Sequence, residues 1–310
     1  MNSENYNYSG NSNRIVKNLR WVIFPEDYWV KHWDAIIITL TIILMFVIPF
    51  QIGVSFGSYL YSSTAWRVFL GVINVIFFID NFIYFFRAYR NENGALIIDL
   101  KKIRRNYLRT YCIPNFLSTI PTTIIFHLCH LSYEQLKTDD TSFTLNLVFW
   151  LLPLVKVLRF IRIPYLLRSS QFVKDFKARH NSQNIALLGY LFFLIVTSHI
   201  FACTWSFVAL IQASITAPLE ALIATPNWIS YWYNNNYEEG GLNPANPDAF
   251  IDRYILSLFW AVQTITSIGY GNVIPFTVAE YCVSSALMLL SGVMWAYIIG
   301  ELAFLFLDLQ

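Results

Sequence analysis

Six stretches of this chain are apolar for long enough to cross about 30 Å of hydrocarbon as α-helix, at about 34–56, 68–88, 110–130, 145–168, 185–212 and 277–307. Inside a bilayer the backbone must satisfy its own hydrogen bonds, so runs of this length fold as helices and most soluble architectures are excluded. The composition agrees. The chain is 56% hydrophobic and 18% aromatic but only 13% charged, about half the charged fraction of a soluble domain. A seventh apolar stretch, at about 253–265, is too short to span and runs directly into a glycine-containing turn. It reads as a re-entrant helix that enters and leaves on one side, which is tolerable at membrane depth only where protein or water surrounds the backbone.

Lysine and arginine set the orientation. Fifteen of them lie before the first span, between the second and third, and after the fourth, whereas the opposite loops hold only Arg67, Lys137 and Arg253. By the positive-inside rule both termini are expected to be cytoplasmic. The segment 213–252 carries Glu220, Glu238, Glu239, Asp248 and Asp252 but no lysine or arginine, as an outer loop should. The Asn-rich stretch 1–13 lacks a signal-peptide core and reads as disordered, and its Asn7-Tyr8-Ser9 sequon would not be presented to the glycosylation enzyme from the cytoplasm. Cys112, Cys129, Cys203 and Cys282 sit in or beside apolar runs without metal-type spacing and read as packing residues. Nothing points to nucleic acid, to a cofactor or to an enzyme.

Residues 260–272 read WAVQTITSIGYGN. The run Thr266, Ser267, Ile268, Gly269, Tyr270, Gly271 resembles the selectivity filter of potassium channels. A dehydrated potassium ion is held there by rings of backbone carbonyls from four identical loops. Aiming successive carbonyls inward requires alternating left-handed backbone, which glycine adopts at little cost, and Gly269 and Gly271 stand where it is needed. Tyr270 is expected to point away from the ions and brace the loop against Phe259 and Trp260 of the short helix. Potassium is then the permeant species and no cofactor is expected.

The fourth span carries a second pattern. Lys156, Arg159 and Arg162 recur every third residue, and the series reaches Arg168 with Tyr165 in the skipped place. Charges within a span are expensive and functional by default. A three-residue step winds slowly round an α-helix or lines up straight in a 3₁₀ helix, and either way each charge can replace its neighbour at one fixed polar site as the helix slides. Pro153 and Pro164 fall in the same span and are expected to limit that sliding.

The resemblance extends over nearly the whole chain. TSIGYGNVIP is similar to the ether-à-go-go branch of voltage-gated potassium channels. PEDYWVKHWDAIIITLTIILMFVIPFQIGVSF and IPNFLSTIP resemble both that branch and the hyperpolarisation-activated, cyclic-nucleotide-modulated channels, within a superfamily that also holds the cyclic-nucleotide-gated channels. It implies an all-α membrane protein: a cytoplasmic segment 1–32, a four-helix voltage sensor over 33–180, and a pore domain over 181–310, with three further identical or related subunits completing a tetramer in a bilayer, by default the plasma membrane. It implies a charge-transfer site of Phe77 and Asp80 on the second span. The acid that the third span normally adds is replaced by Asn115. It also places an inner gate on the last span, with Tyr297, Phe304 and Phe306 as candidates to line it. Glu301, standing where the family usually has an uncharged residue, forms either a cation-concentrating ring or a salt bridge to the basic linker. Related channels continue into a cyclic-nucleotide-binding-like domain, and no nucleotide regulation is read from residues 1–310.

Two other functional readings stay open on sequence alone: a weakly selective cation channel of the pacemaker type, and a non-conducting regulatory subunit. His127, Cys129 and His130 cluster at the outer end of the third span as a minor zinc candidate, and His199 reads as a buried hydrogen-bonding residue.

Overall fold

The computed structural model describes residues 21–54, 63–91, 94–122, 125, 151–216, 222–246 and 249–307. The sequon, the His127, Cys129 and His130 group, Lys137, Glu220 and Asp248 lie outside the described residues, as do the end of the third span and the start of the fourth. Within them the protein is helical: α1 (Tyr28–Gly53), α2 (Thr64–Tyr84), α3 (Leu100–Thr110), α4 (Cys112–Ser118), a 3₁₀ helix (Leu152–Arg162), α5 (Ile163–Ser169), α6 (Gln171–Arg179), α7 (Ser182–Thr216), α8 (Trp228–Asn236), α9 (Phe250–Ile265) and α10 (Val278–Leu307). Helices α1, α2, α7 and α10 are long and apolar enough to cross a membrane. One departure from an all-helical chain is a two-stranded antiparallel ribbon, β1 (Tyr89–Arg90) with β2 (Leu96–Ile97), turned through Gly94 at φ +78°.

The chain forms two compact units. The first holds residues 1–41, 72–120 and 158–176. The basic stretch LKKIRRNYLRT, expected as a connecting loop, is helix α3. Asp99 caps it by accepting from the Lys101 backbone N–H at 2.9 Å, which satisfies a donor the first turn leaves open. Its apolar positions Ile103 and Tyr107 are buried, and its basic residues face outward. Ile103 packs with Val22 and Ala88 under Phe24, Tyr89, Leu96, Ile98 and Leu100. Residue 23 pairs with this edge: its N–H donates to the Phe86 carbonyl, and it accepts from the Ala88 N–H, both at 2.9 Å.

The second unit holds residues 42–71, 121–157 and 177–310. Helices α7, α9 and α10 pack together here. Its centre is a column of indoles: Trp205 of α7 stacks on Trp260 of α9 at 4.1 Å and on Trp228 of α8 at 5.8 Å. The Trp228 indole N–H donates to the Trp205 carbonyl at 3.1 Å, so the buried ring loses no hydrogen bond. Asn227 caps α8 in a reciprocal capping box with Ser230. The C-terminal half of α1 lies against α7 so closely that a Cβ on Gly53 would collide with the Cys203 carbonyl. His199 joins the same contact, its Nδ1 meeting the Tyr254 hydroxyl and its Nε2 the Phe46 carbonyl, each at 2.8 Å. A carbonyl only accepts, so Nε2 carries the ring hydrogen and Nδ1 accepts from Tyr254. Cys203 is buried, but Cys282 is exposed on α10 rather than packed.

Candidate functional site

The short helix before the glycine turn is a turn longer than the apolar run suggests. It runs Phe250–Ile265 and is anchored at its start by Arg253. This guanidinium is fully buried and meets three carbonyls, those of Pro244 (3.0 Å), Val54 (2.9 Å) and Asn246 (3.3 Å). Burial lowers its pKa to about 10, so it stays charged at neutral pH.

Beyond α9 the backbone alternates. Ser267 (φ +60°), Gly269 (φ +62°) and Gly271 (φ +73°) are left-handed, with Ile268 and Tyr270 between them on the ordinary side. Ser267 takes this conformation without being glycine, which the sequence did not signal. The loop is held from behind by Gln263. Its backbone carbonyl accepts from the N–H groups of Ile268 (2.9 Å) and Gly269 (3.3 Å), and its side-chain oxygen accepts from the Tyr270 N–H at 2.8 Å. The amide of Gln263 reaches Asn272 at 3.4 Å. Thr266 ends the helix and donates its hydroxyl to the Val262 carbonyl at 2.8 Å.

Phe259 stacks on Tyr270 with centroids 5.8 Å apart and planes 11° from parallel. Trp260 does not share that role. Successive helical residues point about 100° apart, so only one of the pair can face Tyr270, and Trp260 enters the indole column instead. Behind the loop, the buried Glu280 carboxylate accepts backbone N–H bonds from Trp228 (2.9 Å), Phe276 (2.8 Å) and Thr277 (3.2 Å), tying α8 to the start of α10.

The basic series lies on the 3₁₀ helix, which continues into α5 at Ile163. Pro164 falls in the first turn of α5, where a missing N–H costs nothing, so it marks a junction rather than a break. Lys156, Arg159 and Arg162 are all buried. Arg159 and Arg162 both reach Asp80 Oδ2, at 3.2 and 2.8 Å. The other oxygen of Asp80 accepts from the Trp33 indole at 2.9 Å. The Arg159 guanidinium lies 3.4 Å over the Phe77 ring. Arg168 is exposed and stands apart from this cluster. Asn115 donates to the Tyr107 hydroxyl at 3.2 Å. Four residues were not foreseen: Trp33, Tyr84 under Arg162 at 3.7 Å, and Arg87 and Asp34, a buried bidentate pair at 2.6 and 2.7 Å. Arg87 reads in sequence as one more loop cation; only its pairing with a distant acid reveals it.

At the other end of α10, Tyr297 and Phe304 are exposed, and side-chain placement at Phe306 lies outside the described residues. Glu301 accepts from the Tyr190 hydroxyl at 2.9 Å and is also hydrogen-bonded by Tyr297. Among the described residues it forms no ion pair, and its partners are tyrosine hydroxyls.

A family model described as "Ion transport protein" matches residues 30–306. The chain is 28% identical over 283 residues to the voltage-gated delayed rectifier potassium channel KCNH5 of Homo sapiens, an alignment covering 88% of this chain and 26% of that protein. It is 26% identical to potassium channel AKT1 of Arabidopsis thaliana, covering 94% and 29%, and 24% identical to the potassium voltage-gated channel protein eag of Drosophila melanogaster, covering 87% and 21%. The chain thus spans between a fifth and a third of the length of these relatives.

Proposed function

The chain belongs to the ion transport protein family, and on that footing we propose that it is one subunit of a voltage-gated, potassium-selective channel, four of which surround one pore in the plasma membrane with both termini cytoplasmic. The observation that carries this reading is the alternation of left-handed backbone at Ser267, Gly269 and Gly271. Alternation of this kind is the backbone that ion coordination by a ring of carbonyls demands of such a loop. Its likeness to potassium channels over most of its length supports the same conclusion. Lys156, Arg159 and Arg162 are the sensing charges, Phe77 and Asp80 the site they pass, and Tyr297, Glu301 and Phe304 the inner mouth. Work of about 2.3 kcal/mol per charge per 100 mV lets a few such charges bias opening.

Expression of the chain and exchange of external sodium for potassium tests selectivity. The reversal potential is expected to follow the potassium gradient, by about 58 mV per tenfold on the same charge-times-voltage arithmetic. A reversal near zero in mixed ions would replace potassium selectivity with pacemaker-type permeation. Neutralising Arg159 and Arg162 to glutamine is expected to flatten the conductance–voltage curve, and an unchanged slope would remove the sensor assignment.

A further inference from the structure

We infer that the ring of Tyr84 is a second holding station for the sensor arginines, an aromatic surface standing in for a second carboxylate. The inference rests on the voltage-sensor reading above and concerns how that sensor is balanced. Asp80 is one negative charge shared by two buried guanidiniums, those of Arg159 and Arg162. Asn115, the polar residue offered nearby by α4, spends its amide N–H on the Tyr107 hydroxyl. What lies under Arg162 is a ring: its guanidinium carbon is 3.7 Å from the Tyr84 centroid, close to the 3.4 Å between Arg159 and Phe77. Attraction between a cation and a π face grows as water is excluded, and Phe77, Asp80 and Arg162 are each 1% exposed.

Phe77 and Tyr84 stand seven residues apart, two turns along one face of α2, with Asp80 between them. The order along α2 is therefore ring, carboxylate, ring. The lower ring is also fixed in place. The Tyr84 hydroxyl accepts from Arg87 at 3.2 Å, and that guanidinium is clamped by both oxygens of Asp34. The face of Tyr84 is stacked by Tyr107 at 5.8 Å and its edge met by Tyr165 at 6.4 Å. Asn115 thus acts at one remove, by holding Tyr107. Tyr84 is a positioning residue for the sensor, and its chemistry is the quadrupole of its ring rather than its hydroxyl.

The test varies the quadrupole while keeping ring size. Tyr84→Phe and then mono-, di- and trifluorinated phenylalanine are placed at position 84 of the full chain, and the conductance–voltage midpoint is recorded for each. The midpoint is expected to move steadily with each fluorine, the series amounting to on the order of tenfold in the sensor equilibrium per subunit. Most of the graded movement is expected to be lost when Arg162→Gln is added, since the other cation over the ring, Arg87, lies farther off at 5.3 Å. A midpoint that stays constant across the series, in a channel whose slope still falls on neutralising Arg159 and Arg162, overturns the station and leaves the sensor reading intact. A parent channel with no voltage dependence overturns both.

Discussion

Two buried arginines in this protein are kept charged in different ways. Among the described residues Arg253 meets only carbonyl oxygens, which solvate the cation as water would. Arg87 meets a full counter-charge in Asp34, and both side chains are 2% exposed. Removing one member of a buried pair strands the other in a medium that cannot solvate it. Asp34→Ala is accordingly expected to destabilise the detergent-solubilised protein by about 3–5 kcal/mol, read as a lowered thermal unfolding midpoint. Replacing both residues together, as Asp34→Leu with Arg87→Met, is expected to recover most of that loss. If the single and double variants unfold at the same temperature, the pair is not what holds the first unit together.

At the scale of elements, the loop after α9 is held by one residue as well as by its glycines. Gln263 supplies two acceptors to three consecutive N–H groups, those of Ile268, Gly269 and Tyr270. Gln263→Leu keeps the size and removes the acceptor to Tyr270, and is expected to lower the potassium-to-sodium permeability ratio several-fold, since a buried N–H left unpaired costs about 1–3 kcal/mol in each subunit. Gln263→Glu, which keeps that acceptor, is expected to retain more of the selectivity, and equal loss in both would argue against the bond. The glycines of this loop and the three-residue step of the basic series were legible in the sequence because each is a local pattern, positive φ wanting glycine and charges recurring at fixed spacing, whereas the step alone left α and 3₁₀ helix open and the structure has 3₁₀. Gln263, Tyr84, Asp34 and Glu280 were not, because each acts on a partner chosen by tertiary packing, and no period or spacing marks it. The pairing of Phe259 with Trp260 failed for a geometric reason, since adjacent helical positions cannot face one target. The 3₁₀ geometry has a further bearing on the sensor. At about 2.0 Å per residue against 1.5 Å in an α-helix, Leu152–Arg162 is roughly 5 Å longer than its α-helical form, close to the spacing between neighbouring charges.

Across the whole molecule, large apolar side chains lie open where a neighbour is required. Ile268 is 57% exposed and Tyr270 69%, although both belong to the loop proposed as the filter, and Leu289 (75%) and Val293 (73%) form an uncovered stripe on α10. Lipid would cover such a stripe as readily as protein, but it would not cover a loop whose carbonyls need partners. The purified protein is therefore expected to have the mass of four chains by native mass spectrometry. Leu289→Asp with Val293→Asp is expected to reduce it to single chains if the stripe is the subunit contact, and to leave the tetramer intact if the stripe faces lipid. The bonds from Gln263 and the stack of Phe259 on Tyr270 bear on this assembly too, because all of them lie within one chain. In the proposed tetramer each subunit brings this loop already shaped, so the entropy of ordering it is lost during folding of the subunit and association then costs chiefly the freedom of whole bodies.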